Sequence, residues 1–125
     1  MNILIRFQTV SLIAELNDTP TAQKIAAALP FESHARTWGE EVYFSVPVKA
    51  ELEPGAQQVV EPGTVCFWVQ GNALAIPFGP TPIAEADECR LAHRCNILGR
   101  IVGGPRLLAQ VRDGERALVE MSYGV

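Results

Sequence analysis

Residues 64–78 read Thr64-Val65-Cys66-Phe67-Trp68-Val69-Gln70-Gly71-Asn72-Ala73-Leu74-Ala75-Ile76-Pro77-Phe78. Two apolar runs flank Gln70-Gly71-Asn72, and Gly and Asn tolerate the positive φ that a tight hairpin turn needs. The stretch predicts a hairpin, Thr64–Val69 with Ala73–Phe78. A strand with one wet face alternates apolar and polar residues. These two are apolar on both faces, which places them deep in a closed sheet.

Upstream, Asn2–Phe7 puts Ile3, Ile5 and Phe7 on one face, and Val10–Leu16 does the same with Val10, Leu12, Ala14 and Leu16. Gln8-Thr9 joins them as a first hairpin. Asn17-Asp18-Thr19-Pro20 is a helix start, since Asp18 or Thr19 can cap and proline suits the first turn. Ala22, Ile25, Ala26 and Leu29 then follow at helical spacing, and Pro30 ends the helix. Glu32–Trp38 and Glu41–Val48 read as a second strand pair broken by Gly39-Glu40. Ala50–Pro62 is polar and reads as an exposed excursion. Downstream, Gly79-Pro80-Thr81-Pro82 is a rigid turn. Ile83–Arg94 reads as irregular or partly helical, Asn96–Val102 as a strand, Arg106–Val111 as a short helix and Arg116–Tyr123 as the final strand. About eight strands in an open sheet would leave long edges, so closure is expected. The expected fold is mainly β: a small closed antiparallel barrel, with one helix after the first hairpin and a short helix near the C-terminus.

The chain has 125 residues, the size of one domain, residues 1–125. With 48% hydrophobic and 19% charged residues, it is not a disordered linker. No apolar run approaches the ~18 residues of a membrane span, and Met1–Gln8 lacks a basic start and a small-residue cleavage site. A cytoplasmic protein without membrane partners is expected. The net charge is −4. Arg90, Arg94, Arg100 and Arg106 share one stretch with Asp87 and Glu88, so no basic patch forms and nucleic acid is not an expected partner. Three Cys exclude a full disulfide framework.

The order of elements resembles a cyclophilin. Asp18-Thr19-Pro20-Thr21-Ala22, after the Glu15-Leu16 strand end, is similar to the segment that opens the first cyclophilin helix. Cys66–Phe78 is similar to the central hairpin. Leu98-Gly99-Arg100-Ile101-Val102-Gly103-Gly104 with Arg106–Val111 is similar to the late strand, glycine turn and short helix. Three stretches together resemble a compact prokaryotic family of cyclophilin-like domains: Thr37-Trp38-Gly39-Glu40-Glu41-Val42-Tyr43-Phe44, Gly71-Asn72-Ala73-Leu74 and Phe78-Gly79-Pro80-Thr81-Pro82. That family carries no established activity. In cyclophilins an Arg in a Phe-His-Arg strand contacts the prolyl peptide. Ser33-His34-Ala35-Arg36 makes Arg36 its counterpart here. The pocket Gln position falls near Tyr43, the pocket Trp near Arg90 and the pocket His near Cys95. The resemblance implies the fold and leaves open whether any reaction is catalysed.

Three chemistries follow from the residues. A small barrel can hold a ligand at its mouth, between aromatic walls and a few polar groups. Arg36 would clamp a carboxylate, Trp38, Tyr43 and Phe78 would form walls, and Glu41, Thr81 and Asn96 would supply acceptors and donors. The expected function is thus binding of a small carboxylate-bearing molecule or a short peptide around Arg36, with no cofactor. The bland reading pairs Arg36 with Glu41, treats the aromatics and Trp68 as packing, and gives Asn72 to its turn. The second chemistry is prolyl isomerisation, in which Arg36 would weaken amide resonance and Phe78 would hold the ring. The third is metal binding by Cys89, His93 and Cys95, with His34 as a fourth donor. C-x3-H-x-C is not a usual zinc spacing, so no metal is expected. Cys66 reads as core. Glu40 and Glu41 point to opposite faces of a strand and form no acid–base pair. A non-enzymatic assembly module, and with it a symmetric homo-oligomer, is the remaining class.

Overall fold

The computed structural model describes residues 1–123. Its strands are β1 (Asn2–Arg6), β2 (Ser11–Leu16), β3 (Phe31–His34), β4 (Arg36–Thr37), β5 (Glu41–Ser45), β6 (Gln57–Val60), β7 (Thr64–Trp68), β8 (Ala73–Pro77), β9 (Cys89–Ile101) and β10 (Arg116–Met121). Helix α1 (Pro20–Ala28) follows β2, and a 3-10 helix, Pro105–Gln110, precedes β10. The Thr19 hydroxyl accepts from the Ala22 N–H at 3.4 Å, and proline occupies the first turn of α1. Both features match the start signal in the sequence. No helix among the described residues is long and apolar enough to cross a membrane.

All pairings are antiparallel, in the order β3-β10-β1-β2-β9-β7-β8-β5-β4, with β6 attached to β9. The two ends of that order, β3 and β4, are joined by the single residue Ala35, so the sheet curls into a nearly closed barrel. Ala35 is fully buried. Its N–H donates to the Glu115 carbonyl and its carbonyl accepts from Gly114 N–H, both at 2.7 Å. This corrects the expected strand pair. Glu32–Trp38 is not one strand facing Glu41–Val48: Phe31–His34 pairs with β10, and only Arg36–Thr37 pairs with β5. The inward turn at Ala35 is what divides them.

Two further segments differ from the sequence reading. Within Ala50–Pro62, residues Gln57–Val60 form a strand on β9. The latter part of Ile83–Arg94 is neither irregular nor helical but the first half of β9, which begins at Cys89. β9 is therefore long enough to do two jobs. Its second half pairs with β2 and β7 inside the barrel wall, and its first half pairs with β6.

That division explains the hairpin that is apolar on both faces. The inward side chains of β7 and β8, such as Val65, Phe67, Leu74 and Ile76, fill the barrel interior together with Phe44, Leu98 and, from α1, Ala22 and Ile25. Most of the outward ones are covered too, with Thr64 and Trp68 half-buried. Cys66 and Ala75 pack with Leu91 and Cys95 in a second apolar cluster, joined by Tyr43, Val60, Trp68 and Ile97. The first half of β9 thus covers the outer face of the sheet.

Candidate functional site

Between β5–β7–β8 and the first half of β9 lies a cavity of about 230 Å³, lined by Trp38, Glu41, Tyr43, Trp68, Ala75, Leu91, Ala92 and Cys95. The pleat dictates most of this list, because cross-strand partners point to the same face. Glu41 lies opposite Pro77, Tyr43 opposite Ala75, and Ala75 opposite Cys66. Trp38 closes the β4–β5 hairpin, its N–H donating to the Glu41 carbonyl at 3.0 Å. The turn packs tightly at Gly39, which has φ +58°. A Cβ there would sit 2.7 Å from Pro82 Cδ and 3.0 Å from the Pro80 carbonyl.

Glu41 is the unusual member. It is 5% exposed. Among the described residues, its Oε1 is the one buried side-chain nitrogen or oxygen without a hydrogen-bond partner. A buried polar group left unpaired is costly, and native proteins rarely keep one without use. Burial raises the Glu41 carboxyl from 4.5 to about 7. The nearby thiols are also held protonated. Burial, and then the Glu41 charge, push Cys95 up to about 12. Burial raises Cys66, with Cys95, Glu41 and Cys89 adding to it. Neutral thiols are poor nucleophiles and poor metal ligands. Among the described residues, no three His, Cys, Asp or Glu side chains gather as a metal-holding group. Cys89, His93 and Cys95 share β9, whereas His34 lies on β3.

Trp68 is not pure core. It is half-buried, lines the cavity, and stands edge-on to Tyr43 with ring centroids 6.2 Å apart and planes at 90°. Its indole N–H donates to His93 Nδ1 at 3.0 Å, and the two rings are nearly parallel at 12°. His93 thus steadies one wall.

The other residues singled out by sequence lie apart. Arg36 stands opposite Tyr43 on the same sheet face, but it is exposed, lies outside the cavity lining and forms no ion pair with Glu41. Phe78 faces the opposite way, into the barrel core, with the Arg106 guanidinium 5.3 Å above its ring. Thr81 is buried, and its hydroxyl donates to the Arg90 carbonyl, pinning the proline turn to β9. Asn96 is fully buried and fully employed. Its amide donates to Thr21 Oγ1 at 3.0 Å and to the Glu51 carbonyl at 2.8 Å, and its oxygen accepts from Glu53 N–H at 2.8 Å. It ties residues 51–53 to α1 and contributes nothing to the cavity. A larger, more open hollow of about 570 Å³ runs between α1 and residues 49–54, but Thr21 and Glu53 there are bonded to each other. Of the residues expected to bind, Trp38, Glu41 and Tyr43 come together. Trp68, Ala75, Leu91, Ala92 and Cys95 join them, and of these only Cys95 had been connected to a pocket, through the resemblance.

A comparison with curated proteins gave no match. Among solved structures, the chain is similar to a hypothetical protein from Archaeoglobus fulgidus determined in solution. The two are 38% identical with a TM-score of 0.83, and the match covers 98% of this chain and 95% of the other. The model of a family described as cyclophilin-like matches residues 1–120. With that match over nearly its whole length, and with the barrel, hairpin and glycine turn in the expected order, the chain belongs to the cyclophilin-like family.

Proposed function

We propose that the protein binds a small molecule in the aromatic cavity around Glu41. The observation that carries this reading is the buried Glu41 carboxyl with an unpartnered oxygen, in a hollow lined by Trp38, Tyr43 and Trp68. A pocket of apolar and aromatic walls with one placed polar group is the usual form of a ligand site. Its size admits a compact molecule or a single side chain of a peptide. The ligand carboxylate expected to meet Arg36 does not belong inside, where it would meet the Glu41 carboxyl. A ligand carrying a carboxylate would direct it outward, to the Arg36 side of Tyr43. Prolyl isomerisation gains no support, since Arg36 and Phe78 face different surroundings.

The reading is tested by NMR with a mixture of compact ring fragments of anionic, neutral and cationic types. The indole N–H signals of Trp38 and Trp68 are expected to shift together. The shifts should vanish in Ala92→Trp, which crowds the cavity from an exposed position. If no fragment moves either indole, the cavity is not a binding site.

A further inference from the structure

We infer that this cavity selects a compact organic cation, an amine or amidine whose nitrogen donates to Glu41 while its body lies against Trp38, Tyr43 and Trp68. The inference rests on the cavity being the binding site and names its ligand chemistry.

Three observations lead there. The first is what Glu41 lacks. Its Oε1 has no donor, and the neighbouring donors are spent or make no bond to it. The Trp68 indole N–H goes to His93, the Cys95 thiol to the His93 carbonyl at 3.4 Å, and the Cys66 thiol to the Thr64 carbonyl at 3.7 Å. Ala75, Leu91 and Ala92 have no side-chain donor to offer. The Trp38 indole N–H and the Tyr43 hydroxyl line the same cavity but make no bond to Glu41 either, so once the carboxyl is ionised its donor is left to a ligand.

The second is the wall. Aromatic faces attract a cation placed within about 6 Å of the ring, more strongly when water is excluded. Trp38, Tyr43 and Trp68 supply such rings beside the carboxyl. Tyr43 and Trp68 are set at right angles, as in a cage rather than a flat stack. An ionised carboxyl and aromatic faces favour the same ligand charge. An anion would be opposed by both.

The third is the charge of the surroundings. The groups around Glu41 are Tyr43 on its own strand β5, Cys66 on β7, and Cys89 and Cys95 on β9, with the Glu40, Glu61 and Asp87 carboxylates also acting on Cys89, His93 beyond Trp68 and Arg36 exposed on β4. The thiols stay neutral and, among the described residues, no cationic side chain pairs with Glu41, so a bound cation would be its counter-ion. At about 230 Å³, the cavity is below the roughly 300–1,000 Å³ that drug-sized ligands occupy. A ring bearing one basic group is about the right size.

The consequence is proton-linked binding. Glu41 must give up its proton to pair with a cation, so cation affinity should rise with pH through 7, whereas a neutral ligand should show no such rise. The test uses benzylamine and benzamidine against their uncharged counterparts, benzyl alcohol and benzamide, with dissociation constants read from Trp38 and Trp68 indole shifts. At pH 8 each cation is expected to bind at least tenfold more tightly than its counterpart. That preference should shrink at pH 5.5 and disappear in Glu41→Gln. The wild-type pH series stands independently of the variant. Equal or tighter binding of the uncharged compounds, or a preference retained in Glu41→Gln, would overturn the cation inference while leaving the binding site in place. If none of the four compounds moves the indoles while another compact fragment does, the inference falls alone. If nothing does, the site falls with it.

Discussion

Gly99→Ala is expected to destabilise the protein by on the order of 4 kcal/mol or more, beyond the 1–3 kcal/mol of ordinary overpacking. Gly99 lies where β9 is held from both sides, opposite Leu16 of β2 and Val65 of β7. The register between β7 and β9 shifts immediately beyond it, between Val65 and Cys66. A Cβ at this position would stand 1.9 Å from the Glu15 carbonyl oxygen and 2.8 Å from its carbon. Those atoms are backbone, so no rotamer change can relieve the contact. β2 would have to leave β9, opening the barrel wall next to the site where β9 turns out over the sheet. Gly104→Ala is the control. Nothing lies within 4 Å of a Cβ there, and its φ is an ordinary −78°, so the change should stay within about 0.5 kcal/mol. Urea unfolding of the two variants checks this. A Gly99→Ala cost below about 1 kcal/mol would mean that β9 is not clamped as described.

The second large effect is pH-dependent. Glu41 ionises near 4.5 in the unfolded chain and near 7 in the folded one. Between those values the folded state holds a proton that the unfolded state has lost, so stability falls as pH rises and levels off above 7. The difference corresponds to about 3 kcal/mol across the window. Glu41→Gln removes this dependence while keeping the shape of the side chain. The variant should match the wild type near pH 4.5 and exceed it by up to about 3 kcal/mol at pH 8. Parallel urea titrations at both pH values measure it. A wild-type-to-variant difference that does not change with pH would show that the carboxyl is solvated.

Such a cost at neutral pH makes sense if Glu41 is kept for a ligand. Proteins retain strained or unpaired groups where function needs them. Burial is the main reason Cys66 and Cys95 stay protonated, and the Glu41 charge adds to it.

The sequence was most legible where its signals were local. The Thr19-Pro20 start of α1 and the Gln70-Gly71-Asn72 turn, with Asn72 at φ +46°, need only neighbouring residues. The double-faced apolar pattern of 64–78 correctly announced burial on both sides, but it could not say what covers the outer side. The cover is β6 and the first half of β9. β6 is four residues of mixed polarity, and its pairing with β9 is non-local, so propensity carried little of it. The alternation of Cys89 and Leu91 was a usable strand signal, but the run Ala92-His93-Arg94 is exposed throughout and breaks it. In the site, Trp38, Glu41 and Tyr43 were readable as one face of a hairpin. Phe78 is removed by the β5–β8 register, which pairs Pro77 with Glu41 and so turns Phe78 the other way. Arg36 drew attention by its charge, yet it is exposed, and the charged group that lines the cavity is the buried Glu41. Thr81 and Asn96 serve backbone groups that only the tertiary fold brings near.

The most direct test is a carbon-13 NMR titration of the Glu41 side-chain carboxyl, run on the free protein and again with saturating benzamidine. A midpoint of about 7 is expected in the free protein, with a clear fall when the cation is bound. A midpoint near 4.5 in the free protein, unmoved by benzamidine, would contradict both expectations.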